Sequence, residues 1–400
     1  MELGPFLLSL IIIYASARLF SELAVRLGLS AVLGELLAGV LVGGSVLGWV
    51  EPTETLTRMG QLGVMLLLFE IGLESDLKAF LRVGGSAAIV AVLGVLLQFA
   101  LGFAVAHALG YPQFQAIFLG AALTATSVAI SVRTLFDLGK IKSREGNVIL
   151  GAAVLDDILG LVILSVIVSV AANGTVSWLE ISRTVALAVL FVSVAIFVGV
   201  RYTHRFSQLV NRMHTRGSLV IASLIFALVL GYVAHVLQLA ALIGTFAAGL
   251  VLARTEHRTH IGRLIKPVAD VFVPIFFVLI GVAVEVGRLN PLDEQNWPTL
   301  ILAGGLTVAA ITGKLLSGFG VPGTRYNRWA IGAGMLPRGE VDLIFARVGL
   351  TYAIISTAEY GAILIVVALT TIITPLLLKF VFRPIPSRPQ KGAAPLVTSF

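Results

Sequence analysis

Two adjacent carboxylates, Asp156 and Asp157, lie inside an apolar run of helix length. An ionised Asp at bilayer depth costs about 3 kcal/mol or more, so a pair of them indicates a functional site. Adjacent helix residues point about 100° apart, and the two carboxylates are expected to do different jobs. Burial favours the protonated form of a carboxylate, and the ionised form is a hard ligand for a small cation. A site that holds either protons or a cation, but not both, is a physical basis for exchange. The alternative is a structural pair satisfied by other helices.

Lys314 is the next charged candidate, in the run LTVAAITGKLLSGFG. It either pairs with one of the aspartates inside the membrane, or it snorkels to an interface about a helical turn and a half away. The residues themselves leave both interpretations open.

The stretch TATSVAIS (124–131) places Thr124, Thr126 and Ser127 in a span of small apolar residues. Hydroxyls and unwound backbone carbonyls complete a cation shell where a membrane helix breaks. The alternative is ordinary packing of small polar residues between helices. We expect these side chains to support ion coordination.

The stretch MLPRGEVD (335–342) has Pro337 in mid-span, which removes a helical hydrogen bond and favours a break. Its charged residues, Arg338, Glu340 and Asp342, favour a mutually neutralising structural network over a set of ligands. Glu70, in another apolar run, either pairs with Arg338 or lines the cavity.

Composition indicates a polytopic membrane protein. Hydrophobic residues make up 58% and charged residues 12% of the 400 residues, and a soluble domain has about twice that charged share. Without cysteine, the chain has no disulfide framework and no Cys metal site. The net charge of +7 does not indicate nucleic-acid binding, because basic residues are concentrated in the cytoplasmic loops of membrane proteins.

Thirteen apolar runs predict an all-α fold with about thirteen membrane spans. They lie near 5–22, 31–50, 59–73, 84–109, 114–136, 146–172, 182–201, 217–237, 240–254, 268–286, 298–319, 328–348 and 359–382. Most of the 28 Lys and Arg residues fall in alternate loops, which predicts an outside N-terminus and a cytoplasmic C-terminus. The first run is interpreted as a retained span, because its leading segment MELGPF carries no basic residue.

An internal repeat is visible in the apolar runs. GELLAGVLV (34–42) matches GTFAAGLVL (244–252), and FEIGLES (69–75) matches VLIGVAV (278–284), about 210 residues later in each case. An odd number of predicted spans separates the copies, so they cross the membrane in opposite senses. Inverted repeats with broken helices at matching positions are typical of secondary transporters, although chance similarity among Gly/Ala-rich spans is the alternative.

The repeat predicts a division of the chain into four parts. These are a first repeat over 1–175 with Asp156 and Asp157, a linking span over 176–205, a second repeat over 206–383 with Lys314, and a disordered cytoplasmic tail over 384–400.

Seven sequence segments together resemble those of the bacterial monovalent cation:proton antiporters, in the second branch of that superfamily. The segments that match the family are LGELLAGVLVG (33–43), LLFEIGLES (67–75), LTATSVAIS (123–131), GAAVLDDILGLVIL (151–164), PIFFVLIGV (274–282), TGKLLSG (312–318) and GMLPRGEVDLI (334–344). The chain departs from the family pattern at Glu70, where an apolar residue is more usual, and at Asp342, which adds an acid after Arg-Gly-Glu.

The resemblance implies a dimerisation domain and a core domain with two crossed, discontinuous helices. It implies that Asp157 binds the ion, that Asp156 pairs with Lys314, and that Thr126 and Ser127 lie in the unwound segment near the ion. A homodimer in the bacterial inner membrane, with no cofactor and no enzymatic activity, is expected. The transported species are Na⁺, with Li⁺ or K⁺ as alternatives, and H⁺.

The leading interpretation is therefore an electrogenic sodium/proton antiporter that works by elevator-like alternating access. Potassium/proton exchange on the same scaffold is the close alternative, and the lack of a GxGxxG segment after the last run argues against ligand-gated potassium efflux. A cation channel would need a selectivity-filter sequence, which is not visible. An aspartyl protease needs two carboxylates sharing a proton, and adjacent residues of one helix diverge.

Overall fold

The fold was analysed in a computed structural model that describes residues 3–75, 82–173, 217–237, 239–284, 296–323 and 326–382, with single positions between 182 and 201. Fourteen α-helices lie in the described ranges. They are α1 (Leu3–Arg26), α2 (Ala31–Val42), α3 (Glu54–Glu74), α4 (Gly84–Ala108), α5 (Gln113–Ala122), α6 (Val128–Asp137), α7 (Arg144–Asn173), α8 (Ser218–Val236), α9 (Ala241–Leu252), α10 (Arg258–Val282), α11 (Trp297–Ser317), α12 (Arg328–Gly334), α13 (Glu340–Thr351) and α14 (Thr357–Val381).

Eight of the described helices are long and apolar enough to cross a membrane, namely α1, α3, α4, α7, α8, α10, α11 and α14. The remaining helices are shorter, and α2 and α9 are apolar helices of 12 residues each. The predicted apolar runs coincide with helices of the structure, except for the run near 182–201, most of which lies outside the described residues. The predicted tail after Phe382 lies wholly outside them. The number of thirteen spans stays a prediction.

The helices pack into two groups. In the first group α3 packs against α9 and α10, α2 packs against α1 and α10, and α8 packs against α9. In the second group α4 packs against α5, α7 and α11, while α11 and α13 pack against α14. The principal contacts between the groups join α6 to α2 and α3, and α14 to α2. We call these groups the α3 group and the α4 group.

Two segments of the α4 group are interrupted helices, as their sequences predict. Residues 123–127 separate α5 from α6, and residues 335–339, which include Pro337, separate α12 from α13. Each interruption leaves backbone groups without intrahelical partners inside the apolar layer, and a membrane supplies none. Each break must therefore find its partners within the protein.

Glycines set the closest helix contacts of the α3 group. A Cβ on Gly281 of α10 would collide with the Leu36 carbonyl oxygen and lie 2.8 Å from Gly39 Cα of α2. In the same way, a Cβ on Gly249 of α9 would collide with the Phe69 carbonyl oxygen and lie 2.8 Å from Gly72 Cα of α3. Close approach through small residues is how membrane helices gain packing where lipid supplies no hydrophobic drive.

We predict that Gly281→Ala lowers the thermal unfolding midpoint of the detergent-solubilised protein, because the added methyl meets backbone that cannot move independently. Overpacking of this kind costs about 1–3 kcal/mol. Gly304→Ala on α11 is the matched control, because a Cβ there meets nothing within 4 Å. We expect that control to leave the midpoint unchanged or raise it, since Ala is the better helix former. Equal midpoints for the two variants would contradict the close contact.

Candidate functional site

Helix α7 carries both aspartates through the interior of the protein. It runs without interruption for 30 residues, and Asp156 and Asp157 are 0% and 3% exposed. Asp156 contacts α11 through Lys314, whereas Asp157 lines a cavity against α3 and α9. The two carboxylates thus point into different surroundings, as their adjacency on a helix requires.

Asp156 forms a buried ion pair. Lys314 Nζ lies 2.7 Å from Asp156 Oδ2 and also donates to the Thr124 carbonyl oxygen at 3.1 Å. Gly94 of α4 leaves room for the lysine, because a Cβ there would lie 3.2 Å from Nζ. Lys314 is 1% exposed, so this side chain is paired within the protein and does not snorkel to the interface.

Asp157 lies at the wall of a small cavity between the two helix groups. The other lining residues are apolar, and they come from α3, α6, α7 and α9: Leu68, Val128, Leu150, Val154, Leu242, Ile243 and Phe246. A carboxylate in such surroundings is poorly hydrated, so either a proton or a cation stabilises it. Asp157 is the one titratable residue among those that line this cavity.

The two helix breaks meet beside the aspartates and bond to each other. The Thr126 hydroxyl donates to the Met335 carbonyl oxygen at 3.0 Å, and the Ser127 backbone N–H donates to the Pro337 carbonyl oxygen at 2.7 Å. The Ser131 hydroxyl donates to the Gly334 carbonyl oxygen. We call this arrangement the crossing. It satisfies carbonyl groups at the open end of α12 with side chains and backbone of the 124–131 segment.

Arg338 links the two helix breaks of the crossing by a further hydrogen bond. Its Nη1 donates to the Ala125 carbonyl oxygen at 3.0 Å and to Asp342 Oδ1 at 2.8 Å. Asp342 Oδ2 also accepts the Gly339 backbone N–H at 3.1 Å, and thereby caps the start of α13. The Thr371 hydroxyl of α14 donates to the Arg338 carbonyl oxygen at 2.7 Å. The predicted neutralising network therefore contains Arg338 and Asp342, and the Glu340 side chain lies outside the described set.

Glu70 does not join this network. It is 6% exposed on α3, and the charged groups that act on it are Lys266, Asp270, Glu74 and Arg133. The suggested pairing of Glu70 with Arg338 is wrong, because Arg338 lies at the crossing of the α4 group and is bonded to Asp342. Glu70 also falls outside the residues that line the cavity at Asp157.

Sequence reasoning missed two buried polar residues. Glu35 of α2 is 5% exposed and Gln98 of α4 is fully buried, and Gln98 Nε2 donates to the Ala310 carbonyl oxygen across to α11. Both lie in apolar runs, so the signal that singled out Asp157, a polar residue within a span, would have found them.

Comparison with known proteins identifies relatives over nearly the whole chain. Residues 9–383 match the family described as sodium/hydrogen exchanger, transmembrane. The high-affinity Na⁺/H⁺ antiporter NhaS3 of Synechocystis is 42% identical over 95% of this chain and 90% of its own length. The Na⁺/H⁺-K⁺ antiporter GerN of Bacillus cereus is 38% identical over 94% of this chain and 96% of its own length.

The fold is also similar to that of a solved structure. The sodium proton antiporter MjNhaP1 of Methanocaldococcus jannaschii aligns with a TM-score of 0.69 over 94% of this chain and 96% of its own, at 19% identity. At that identity the similarity concerns the fold alone.

We predict that the Asp156–Lys314 pair is energetically coupled. Asp156→Asn and Lys314→Gln should each lower the thermal unfolding midpoint, because each leaves a buried charge without its partner, at a cost of about 3–5 kcal/mol. The double variant Asp156→Asn/Lys314→Gln should lose less than the sum, since no lone charge remains. Strictly additive losses in this cycle would show that the two side chains do not interact.

Proposed function

The chain belongs to the sodium/hydrogen exchanger family and is a multi-pass membrane cation/proton antiporter rather than an enzyme, and from that premise we propose that it exchanges Na⁺ for protons electrogenically. Asp157 is the proposed carboxylate that holds either the cation or a proton. The observation that carries the proposal is the placement of Asp157, buried yet on the wall of a cavity between the two helix groups.

In this proposal proton and cation compete for Asp157. A cation displaces the proton from the carboxylate, and hydroxyl or carbonyl oxygens of the crossing complete its shell, with Thr124, Thr126 and Ser127 as the nearest candidates in sequence. The Thr126 hydroxyl and the Ser127 N–H, which bond the Met335 and Pro337 carbonyl oxygens, hold this segment in place. Li⁺ would use the same oxygen ligands, and no cofactor takes part.

The Asp156–Lys314 pair is the proposed second proton carrier. Exchange of one Na⁺ for two protons moves net charge, so a proton is needed beyond the one on Asp157. Lys314 is a candidate because it is buried with one carboxylate partner, and losing that partner would favour its neutral form. Arg338 and Asp342 keep a structural role, which holds the crossing neutral.

Alternating access by an elevator-like movement of the α4 group against the α3 group is the proposed mechanism. The limited contact between the groups supports it, since most helix packing lies within each group. The glycine contacts of α2 with α10 (Gly39 with Gly281) and of α3 with α9 (Gly72 with Gly249) support inverted repeats over 1–175 and 206–383. Gly39 corresponds to Gly249 and Gly72 to Gly281, about 210 residues later in each case, so the repeat converts one contact into the other. The span over 176–205 is the proposed link.

We further propose that the protein is a homodimer in the bacterial inner membrane, with the N-terminus outside and the C-terminus cytoplasmic. The largely unburied apolar surfaces of α1 and α8 support a partner copy or lipid at these helices.

Potassium/proton exchange is the second candidate. The relative GerN is a Na⁺/H⁺-K⁺ antiporter by name. Among the described residues, the surroundings of Asp157 contain no feature that excludes K⁺, which is larger than Na⁺. Proteoliposomes with a proton-sensitive dye, given Na⁺, Li⁺ or K⁺ in turn, distinguish the two functions. A dye response that is independent of the added cation would contradict antiport altogether.

We predict that Asp157→Asn abolishes cation-driven proton movement in proteoliposomes and leaves the protein folded, because an amide cannot carry the titrating proton. The measurement is dye dequenching after a Na⁺ addition, with the thermal unfolding midpoint recorded in parallel. Glu54→Gln is the matched control, since Glu54 is a solvent-exposed carboxylate on α3. Near-normal exchange by a folded Asp157→Asn protein would contradict the assignment of Asp157 as the carboxylate that holds the proton or the cation.

We predict that Lys314→Gln is inactive, or weakly active and electroneutral, because the second proton carrier is gone while Asp157 can still exchange. The transient current after a Na⁺ jump on a solid-supported membrane is compared with dye-reported proton movement. Lys140→Gln is the control, since Lys140 lies outside the site and contacts the Phe382 ring. A current of wild-type size in Lys314→Gln would show that Lys314 carries no transported proton.

A further inference from the structure

A buried amide lies beside Lys314, and nothing described so far gives it a role in exchange. Gln98 of α4 is 0% exposed. Its Nε2 donates to the Ala310 carbonyl oxygen of α11 at 3.1 Å, whereas its Oε1 has no hydrogen-bond partner among the described residues. A buried acceptor without a donor costs free energy, so this oxygen needs an explanation.

The one bond of Gln98 fixes the orientation of its amide. A carbonyl oxygen can only accept, so the amide nitrogen must face Ala310, and the amide oxygen takes no part in that bond. In an α-helix the carbonyl of residue 310 also accepts the backbone N–H of residue 314. Gln98 therefore binds α11 at the turn that carries Lys314 and keeps an accepting oxygen that this bond does not use.

The packing of α4 on α11 places the Gln98 amide close to the Lys314 ammonium. A Cβ on Gly94 would lie 3.2 Å from Lys314 Nζ, and Gly94 lies one turn before Gln98 on the same face of α4. Helical side chains lean toward the preceding turn, so the Gln98 side chain lies over the turn that contains Gly94. A Cβ on Gly313 would lie 2.8 Å from Gln98 Cγ. The lysine and the glutamine therefore share one narrow gap between the two helices.

Lys314 has a hydrogen to donate beyond the two bonds already described. An ammonium carries three hydrogens, and two of them are accounted for by Asp156 Oδ2 at 2.7 Å and the Thr124 carbonyl oxygen at 3.1 Å. The lysine stem is a flexible chain of four carbons, so a change of rotamer moves its ammonium along the gap. Movement away from Asp156 along α4 brings the ammonium to Gln98.

The hydroxyl groups near this gap are already used as donors. A hydroxyl has a single hydrogen. The Ser317 hydroxyl donates to the Lys314 carbonyl oxygen at 2.7 Å, and the Thr124 hydroxyl donates to the Ala121 carbonyl oxygen at 2.8 Å. Among the described side chains, Lys314 is therefore the donor best placed to satisfy Gln98 Oε1.

We propose that Gln98 Oε1 is the second partner of Lys314 and receives the lysine when it separates from Asp156. Gln98 is then a positioning residue that carries no proton itself. The move exchanges an ionised partner for a neutral one, so the lysine keeps a hydrogen bond but loses the negative charge that stabilises its ammonium. The inference rests on the proposed function for the separation of the pair, and it names where the lysine goes.

A neutral amide suits this role better than the other side chains of its size. A carboxylate at position 98 would hold the ammonium as an ion pair, as Asp156 does, and would oppose its release. A thioether such as Met would fill the same space but would offer the lysine only a weak acceptor. Gln98→Glu and Gln98→Met therefore separate charge from shape at this position.

A rescue experiment tests the proximity of Gln98 to Lys314 without any transport measurement. Asp156→Asn should lower the thermal unfolding midpoint of the detergent-solubilised protein, because it removes the counter-ion of the lysine. Adding Gln98→Glu to Asp156→Asn should restore most of that loss, since a carboxylate then lies at the position of the second partner. Gln98→Met in the same background is the matched control, and it should restore nothing.

The rescue must depend on the lysine. In the Asp156→Asn/Lys314→Gln protein, Gln98→Glu should lower the midpoint further, because the new buried carboxylate has no cation to pair with. A rescue that persists without Lys314 would overturn the proposal, and so would the absence of a rescue in a folded Asp156→Asn/Gln98→Glu protein.

Difference infrared spectroscopy of proteoliposomes follows the Gln98 carbonyl itself. A hydrogen bond from the lysine lowers the stretching frequency of that carbonyl. We expect added Na⁺ to shift a side-chain amide band to lower wavenumber, and we expect the shift to be absent in Gln98→Met and in Lys314→Met. Gln61→Met is the matched control, since Gln61 is an exposed glutamine on α3, and the shift should persist there.

A band shift that survives Gln98→Met would contradict the proposal. A shift that is lost in Gln98→Met but survives Lys314→Met would assign the bond to water, and it would also overturn the proposal. If Asp156→Asn/Gln98→Glu fails to fold, the infrared result decides, and absence of the shift in a wild-type protein with a Na⁺-driven dye signal counts against Gln98. Failure of the proposed antiport would appear separately, as an absent dye signal, and the rescue series would still test the pair.

Discussion

The crossing of the two interrupted helices is the arrangement on which the rest of the structure depends. A helix that breaks in the middle of a membrane leaves N–H and C=O groups that lipid cannot satisfy. Here the break at 123–127 and the break at 335–339 bond to each other and to side chains around them. Their position next to α7 brings polar backbone to the depth of Asp156 and Asp157, where an ion would otherwise find only apolar surroundings.

Charge balance at the crossing follows from the direction of the helices. Lys314 donates to the Thr124 carbonyl oxygen near the open end of α5, where the helix dipole is negative. Asp342 accepts the Gly339 N–H at the start of α13, where the dipole is positive. Each of these residues has an oppositely charged partner, Asp156 or Arg338. These side chains thus compensate the broken helices as well as one another.

The two helix groups differ in how they are held. Within the α3 group, backbone meets backbone at glycines, and such contacts have no freedom to adjust. Between the groups, the contacts at the predicted cytoplasmic end include the ion pair of Lys142 with Glu74 and the cation–π contact of Lys266 with the Phe136 ring. Contacts of the second kind are individually weak when solvated. The contacts between the groups therefore cost less to break than the glycine contacts within the α3 group.

The sequence alone determined the membrane class, the positions of the described helices and the break at Pro337, because apolar run length and a mid-span proline act locally. The break at 123–127 contains no proline and was expected from the family resemblance. The sequence also singled out Asp156, Asp157 and Lys314, since a charge in an apolar run is costly wherever the chain folds. Only the tertiary structure decided that Lys314 pairs with Asp156 and that Arg338 pairs with Asp342 rather than with Glu70. Partners on helices distant in sequence depend on how the helices pack, and neither periodicity nor composition encodes that packing.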